Sequence, residues 1–305
     1  MRDDVFRVAP RFAPMSSTRL QLQDWSNLHA DLSWVYEGAV EPVHRDAPYR
    51  PDLLGAWLVL DGAARLTQQG RTLTARPGEW LIIRQASGHQ HFSDDAKILS
   101  VRFTAEWPDR KPFYDEGLSR MLKGGHHPKL EAAARTLVSR ARPHIPEHTN
   151  MLHRQAMSFA DFVGIRRAFW SWLVELHEAL AVEGVAATRT LLHDERIVKV
   201  VRELDHLPLD ARLREGPLAK SVGLQVGHFV RTFREQVGRT PKRYFDELRR
   251  TACRKMLTGS ETPIKEIALN LGFARLSDFS AWFRRAEGVP PRKYRQLYKK
   301  SGGAV

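Results

Sequence analysis

The residues of this chain that could do chemistry are a few histidines in its first third and a repeated set of aromatic and basic residues in its last third. His89 and His91 are one residue apart, and with His44 they could offer nitrogen ligands to a metal ion. A metal site needs three or four converging ligands, and no histidine lies between Trp57 and Trp80 to complete one. We therefore expect no metal, no other cofactor and no catalytic residue, so the chain should not be an enzyme.

The last third of the chain contains an internal repeat. The matched positions of the first copy are Leu218, Ala219, Gly223, Leu224, Phe229, Phe233, Gly238, Pro241 and Tyr244. The first four recur 49 residues later and the other five 50 residues later, as identical or closely similar residues. The extra residue falls just after the first glycine, where a loop absorbs an insertion at little cost. A match of this length with one loop insertion indicates two copies of one structural unit.

Each copy of the repeat predicts two short helices joined by a tight turn. The small alanine allows close helix approach, and the glycine that follows can adopt the left-handed conformation that ends a helix. The Phe-x-x-x-Phe spacing then places two rings on one face of a second helix, toward the first. This arrangement is a helix-turn-helix, whose second helix enters the major groove of DNA. Pro217 predicts a short leading helix in the first copy that begins at that residue.

A helix over residues 244–257 is predicted to join the two copies, and Gly259 is expected to end it. The next helix should then be capped by Thr262 and Pro263. Cys253 falls on the joining helix and is expected to be buried. A rigid connection would hold the two second helices in a fixed relation, and successive major-groove segments on one face of DNA lie about 34 Å apart. One subunit could then read two such segments.

The charge of the chain supports this interpretation. Residues 1–190 hold 24 Lys/Arg against 22 Asp/Glu, whereas residues 191–305 hold 24 against 13. A basic excess confined to one segment suits a polyanionic partner, because neutralised phosphates release condensed counterions. The alternative is a pair of helix-turn-helix repeats that serves only as a protein scaffold, and the local charge of +11 argues against it.

Residues 196–298 resemble the AraC/XylS family of transcriptional regulators. The segment IKEIALNLGFARLSDFSAWFRRAEGVPPRKYR is similar to the family signature over nearly its full length. The resemblance implies that 225–237 and 275–287 are the two recognition helices and that double-stranded DNA is the partner. It further implies a small-molecule effector and contact with RNA polymerase. A homodimer is expected from the aromatic helical face within residues 151–182, which would otherwise need a large neighbour within the chain. The chain is then expected to be a cytoplasmic transcription regulator with no membrane role.

Exposure on those helices predicts which residues meet DNA. The candidates for base contacts are Gln225, Gly227, His228, Arg231, Thr232 and Arg234 in the first helix, and Arg275, Ser277 and Asp278 in the second. The candidates for phosphate contacts are Arg249, Arg284, Arg285 and Lys293. Arg231 matches the arginine common in the family, and arginine is the best major-groove reader of guanine. Ala281 replaces it in the second unit, so we expect the first unit to carry more base specificity.

The first half of the chain predicts a β domain. Short apolar runs from residue 55 to 103 alternate with Asp-Gly and Pro-Gly turns, as in a β sandwich or barrel. The series is similar to the cupin-like sensor domain of the same family. A small polar molecule would suit a pocket of aromatic faces and a few hydrogen-bonding groups. The candidate effector-binding residues are Trp34, Tyr36, His44, Trp57, Trp80, His89 and His91.

Helical periodicity follows, over residues 130–142 and 151–182, and the longer segment could be core against the β domain or a dimer seam. The expected fold class is α+β, with a cupin-like β sensor domain at 1–112, a helical linker and dimerisation region at 113–190, and a double helix-turn-helix domain at 191–305. Two alternatives stay open for function. One is a cupin metalloenzyme fused to a DNA-binding module, and the other is a regulator that needs no ligand.

Overall fold

The computed structural model describes residues 20–49, 53–145, 152, 155–188, 192 and 194–299. The strands within this part of the chain are β1 (His29–Ala39), β2 (Asp46–Tyr49), β3 (Leu54–Asp61), β4 (Ala64–Gln68), β5 (Arg71–Ala75), β6 (Glu79–Ile83), β7 (Gly88–Phe92), β8 (Lys97–Glu106) and β9 (Arg120–Lys123). They form two antiparallel sheets, with the orders β1-β8-β3-β6-β9 and β2-β7-β4-β5. The predicted strands of this domain are thereby confirmed.

The five-stranded sheet is buried on both of its faces. In β3, Trp57 and Val59 pack toward the four-stranded sheet. Ala56 and Leu58 alternate with them and pack on the opposite face. Successive side chains of a strand point to opposite faces, so a nearly continuous apolar strand such as β3 needs a covering layer on each side. The helices that follow the sheets supply the second layer.

The helices within the described residues are α1 (Leu22–Trp25), α2 (Pro42–Arg45), α3 (Pro128–Ala141), α4 (Phe159–Val182), α5 (Glu195–Asp205), α6 (Glu215–Ser221), α7 (Val226–Val237), α8 (Pro241–Gly259), α9 (Ile264–Asn270), α10 (Leu276–Glu287) and α11 (Pro291–Lys299). Helices α3 and α4 cover the outer face of the five-stranded sheet, where Trp172 meets Phe103 with ring centroids 5.0 Å apart. One continuous core thus includes this sheet, with β9 at its edge, and both helices. The domain boundary at residue 112 crosses that core and stays a prediction.

The long helix begins later than the sequence indicates. Met151 lies outside the described residues, residues 155–158 are not helical, and α4 starts at Phe159. Ser158 caps it, with its hydroxyl accepting a hydrogen bond from the Asp161 amide at 3.1 Å. Phe169 and Trp172 are fully buried and Trp170 packs against the core, whereas Phe159 and Phe162 are exposed. One face of the helix therefore belongs to the core, the first of the two alternatives that the sequence leaves open.

The C-terminal part is an all-helical module with two separate cores. Phe229, Phe233 and Tyr244 lie in the first, whereas Cys253 lies in the second. The thiol of Cys253 is fully buried, as predicted, and burial raises its pKa to about 12. The α+β fold class is therefore confirmed. None of the helices in the described ranges has the length and apolar character of a membrane span.

Candidate nucleic-acid interface

The two repeats form two helix-turn-helix units, α6–α7 and α9–α10, connected by α8. The paired rings of the repeat, Phe229 and Phe233 in α7 and Phe279 and Phe283 in α10, are all fully buried. Each such ring stabilises its unit by about 1.5–3 kcal/mol relative to exposure. They fix which face of α7 and α10 packs inward and leave the other face to solvent.

Both second helices end as the repeat predicts. Gly238 and Gly288 adopt φ values of 77° and 75°, a left-handed conformation that glycine tolerates without steric cost. Their amides donate 2.9 Å hydrogen bonds to the carbonyls of Arg234 and Arg284. The leading helix of the first unit is short, as predicted, but it begins at Glu215, two residues before Pro217. Proline is tolerated there because the amide it lacks belongs to the unpaired first turn.

The predicted contact residues of α7 share one exposed face. The side chains of Gln225, His228, Arg231 and Arg234 are exposed together with Gly227, whereas Thr232 is partly buried. Nη2 of Arg231 lies 3.2 Å from Nδ1 of His228, its neighbour one turn earlier. A neutral His228 can accept this hydrogen bond and so hold the guanidinium outward.

The second helix presents the same kind of face. Arg275, Ser277, Asp278, Arg284 and Arg285 are exposed, and Ala281 lies among them at the position equivalent to Arg231. Lys293 is exposed at the start of α11, the helix that follows.

The basic side chains of these two faces are free to meet phosphate or base. Among the residues that the structure describes, no ion pair involves Arg231, Arg234, Arg275, Arg284 or Arg285. An arginine without a carboxylate partner keeps most of its five donors for a ligand, so these faces concentrate available positive charge.

Arg249 lies apart from the exposed set. Its side chain is half-buried, a guanidinium nitrogen donates to the Leu271 carbonyl, and the guanidinium lies over the rings of Phe273 and Trp282 at 4.8 and 5.6 Å. Burial lowers its pKa, with Asp246 opposing this shift. These contacts tie α8 to the second unit, so the structure gives Arg249 a packing role.

Further contacts make α8 a rigid connection. The indole nitrogen of Trp282 donates to Asp246 at 3.0 Å, and Arg254 donates to Glu287 at 2.9 Å. Helix α8 extends from Pro241 to Gly259, longer than the predicted 244–257 and with the predicted end. The following helix begins at Ile264, with Pro263 in the cap position and no side-chain cap from Thr262. Two units held on one helix can present their recognition helices in a fixed relation.

The β domain brings together four of the seven predicted effector residues. In the β1–β8 register Trp34 pairs with Arg102 and Tyr36 with Ser100, and in the β3–β8 register Trp57 pairs with Ser100. Directly paired residues of antiparallel strands point to the same face. These side chains therefore all face the space between the two sheets.

His44 approaches the same place from α2. Its side chain is buried, and burial lowers the pKa of its imidazole, with the charge of Arg102 adding to the shift and Glu41 opposing it. Four of the predicted residues thus surround Arg102 and Ser100.

The other three predicted effector residues lie elsewhere. Trp80 packs on the opposite face of the five-stranded sheet. His89 and His91 are exposed on the outside of β7, where both approach the carboxylate of Asp46. Within the described ranges no group of three or more His, Cys, Asp or Glu side chains is placed to hold a metal ion.

Arg102 is the functional candidate that the sequence reasoning missed. The residue is 7% exposed, its guanidinium lies 4.7 Å from the centre of the Tyr49 ring, and its buried Nε has no hydrogen-bond partner in the described part of the chain. The buried hydroxyl of Ser100 and the indole nitrogen of Trp57 also lack partners among the described residues. The available signal was the pair Ser100 and Arg102, two polar residues on one face of an otherwise apolar strand.

A cavity of about 730 Å³ lies between the β domain and α8. Its apolar wall includes Leu32, Phe162 and Ile165, and its basic side includes Arg239 and Lys255. The volume is within the usual range of small-molecule sites, about 300–1,000 Å³. No sequence pattern indicated it, because its lining comes from segments far apart in the chain.

Two helix-turn-helix units, whose exposed arginines form no ion pair with any described residue, define the class of the protein, a DNA-binding transcription regulator. The family model for a helix-turn-helix domain matches residues 218–297. The chain is 30% identical to the transcriptional activator RhaS of Citrobacter koseri over 232 residues, which are 74% of this chain and 79% of that protein. Since that match reaches well beyond the DNA-binding module, the chain belongs to the AraC family of transcriptional regulators, as the sequence resemblance indicates.

Two further comparisons give the extent of the likeness. The chain is 29% identical to the transcriptional regulator YobQ of Bacillus subtilis over 138 residues, 42% of this chain and 55% of that protein. A crystal structure of an apo ToxT variant from Vibrio cholerae matches 89% of this chain and 98% of its own, with a TM-score of 0.46 and 12% identity.

Proposed function

We propose that this regulator reads its operator mainly through α7 and uses α10 chiefly as an anchor. The observation that carries the proposal is the pair of equivalent positions 231 and 281. The first holds an exposed arginine without a carboxylate partner among the described residues, and the second holds alanine. An arginine there can form two hydrogen bonds to guanine, and alanine can form none.

Three further exposed basic residues are assigned to the DNA backbone. Arg284, Arg285 and Lys293 lie at the end of α10 and the start of α11, where they can position the second unit without specifying sequence. Arg249 is left out of this proposal because its donors and its flat face are used within the protein.

Selection from random duplexes, followed by anisotropy titrations, tests this division. The protein should enrich a site with stricter base preference under the first unit than under the second. Arg284→Ala should weaken binding to all duplexes alike and reduce the salt dependence by about one unit of slope. Arg71→Ala, on the exposed surface of β5, is the matched control and should bind like wild type. Equal base preference under both units contradicts the proposal.

For the effector we propose an anionic small molecule that binds Arg102 between the two sheets. A buried guanidinium without a carboxylate is costly, and an anion that supplies the missing hydrogen bonds relieves this cost. Trp34, Tyr36, His44 and Trp57 would line the same space, with the imidazole and the free indole nitrogen as further polar contacts. These four residues thus keep, in this proposal, the effector-binding role that the sequence predicts for them.

Thermal-shift screening with sugars and small organic acids tests the effector proposal. A carboxylate ligand should raise the melting temperature of wild type and leave that of Arg102→Met unchanged. A ligand that stabilises both proteins equally would point instead to the cavity between the β domain and α8. Absence of any ligand effect across a broad panel favours a regulator whose β domain only dimerises.

We propose a homodimer formed by part of the 113–190 region. The exposed apolar side chains of α4 support it: Phe159, Val163, Val174 and Val182 are 80%, 44%, 53% and 78% exposed. Apolar surface of this kind marks association sites on soluble proteins. Light scattering on wild type and on Val174→Glu tests this, and a monomeric wild type contradicts it.

We also propose a cytoplasmic location, contact with RNA polymerase, and the three-domain division at 1–112, 113–190 and 191–305. The competing metalloenzyme would need a transition metal bound by His44, His89 or His91. Stoichiometric metal in the purified protein would favour that alternative.

A further inference from the structure

A partly buried polar contact joins the β domain to the first helix-turn-helix unit. The loop after β8 presents Arg110, and α8 presents Tyr244 opposite it. The hydroxyl of Tyr244 lies 3.0 Å from the Pro108 carbonyl and 2.9 Å from Oδ1 of Asp205. It accepts a longer hydrogen bond, of 3.4 Å, from Nε of Arg110. One hydroxyl thus connects the loop, the end of α5 and the start of α8.

Arg110 uses its other nitrogens in the same contact. Nη1 donates to Glu106 at 2.5 Å and Nη2 donates to Asp205 at 3.1 Å. Burial opposes its charge, but Glu106, Tyr244 and Asp205 outweigh this and raise its pKa, so the guanidinium stays charged. Its backbone has a φ of 64°, a left-handed conformation that a non-glycine residue adopts only at a steric cost. Strain of this kind persists where the surroundings over-determine the geometry, and it concentrates at functional sites.

This contact is connected on one side to the recognition helix α7 and on the other to β8, the strand that carries Arg102. On the α8 side, the ring of Tyr244 packs edge-on against Phe233 of α7, with centroids 5.9 Å apart. On the β side, Glu106 ends β8, the strand that also carries Arg102. Arg102 and Glu106 thus share one strand, and Glu106 is linked through Arg110 to Tyr244 and so to the packing of the recognition helix.

We propose that Arg110 and Tyr244 are positioning residues through which the β domain sets the placement of α7 on DNA. The proposal rests on the DNA-reading function of α7 proposed above. Because coupling between two sites is reciprocal, DNA bound to α7 must also change the loop that contains Arg110, although that loop lies in the β domain.

The repeat offers a matched control for this proposal. Tyr294 is the counterpart of Tyr244 in the second unit, and its ring packs edge-on against Phe283 with centroids 5.2 Å apart. Tyr244→Phe keeps the ring and removes the hydroxyl that meets the β domain. Tyr294→Phe makes the same change in the second unit, at a tyrosine other than the one that Arg110 contacts.

Hydrogen–deuterium exchange of the full chain, with and without a duplex selected by the protein from random sequence, tests the proposal. The loop amides are suitable reporters, since those of Arg110 and Phe113 donate to the carbonyls of Trp107 and Ala105 at 2.8 and 2.7 Å. The duplex should change exchange in residues 107–113 at least threefold in wild type and in Tyr294→Phe, and should leave it unchanged in Tyr244→Phe.

Two results overturn the proposal. One is a duplex that binds wild type without changing exchange in the loop, and the other is a change that persists in Tyr244→Phe. Arg110→Met provides a second variant that should abolish the change while both domains stay folded by circular dichroism. If the protein selects no duplex at all, the proposed DNA-reading function fails first, and this outcome is distinct from either of the other two.

Discussion

Replacing Arg231 by alanine isolates the contribution of one side chain to operator recognition. The residue lies between Phe229 and Phe233 in the sequence, but their rings are buried and its own side chain is exposed on α7, where the guanidinium contacts His228. Removal of an exposed side chain away from the core changes the free energy of unfolding by less than about 0.5 kcal/mol. The variant should therefore fold like wild type, so that a change in DNA binding reports on recognition alone.

The expected loss of binding follows from the chemistry of the contact. A bidentate arginine–guanine pair provides about 1–3 kcal/mol of discrimination. With about 1.4 kcal/mol for each factor of ten, operator affinity should fall by about 5- to 150-fold. Fluorescence anisotropy at one fixed salt concentration measures it, first with the selected duplex and then with each of its base pairs substituted in turn. Arg231→Ala should lose discrimination at one base pair and keep it at the others.

The second unit supplies the reciprocal experiment. Ala281 is exposed at the equivalent position of α10, between Phe279 and Phe283. Ala281→Arg should leave unfolding unchanged and add affinity for duplexes with guanine under the second unit. Unaltered operator affinity in Arg231→Ala would refute the assignment of that residue. A uniform loss with a smaller salt slope would transfer Arg231 to the phosphate contacts.

Three other predictions concern stability and reactivity. Gly272→Ala should destabilise the protein more than Gly238→Ala in urea titrations. Both residues have φ near 75°, so both substitutions carry a penalty of about 1–2 kcal/mol. Only at Gly272 would the new Cβ also meet backbone atoms of Asp210, at 2.9 Å. Burial lowers the pKa of His44, so the folded state binds fewer protons than the unfolded state below pH about 6.5. The free energy of unfolding should therefore fall as the pH drops through this value, and His44→Gln should reduce that fall. Cys253 is fully buried, and its pKa is raised to about 12. A thiol reagent should therefore modify it no faster than the protein unfolds, and rapid labelling of folded protein would contradict its core position.

The helical module could be predicted from sequence because its signals are local and occur twice. The Phe-x-x-x-Phe spacing and Gly238 specify which face is buried and where α7 ends, and the second copy repeats both. The errors were small and lay at helix ends, as at Glu215, where propensity alone does not decide the first turn. The exposed faces of α7 and α10 followed directly from that periodicity.

The interior of the β domain could be predicted only in part. Aromatic residues such as Trp57 and Trp80 look alike in sequence, and which face of a sheet each occupies depends on strand register. Aromatic residues and histidines were the candidates that the sequence offered. The burial of Arg102, with an Nε that has no hydrogen-bond partner among the described residues, is evident only when the strands are paired. The contact between Arg110 and Tyr244 joins residues 134 positions apart, so no local pattern could indicate it.

The most direct test of the account is selection of genomic DNA by the full-length protein, followed by footprinting of the recovered site. We predict one enriched motif with two protected major-groove segments on the same face of the duplex, about 34 Å apart. Base preference should be stricter in the segment that Arg231→Ala affects. Recovery of fragments without a shared motif, or protection of a single segment, would contradict a regulator that reads DNA with two units held on one helix.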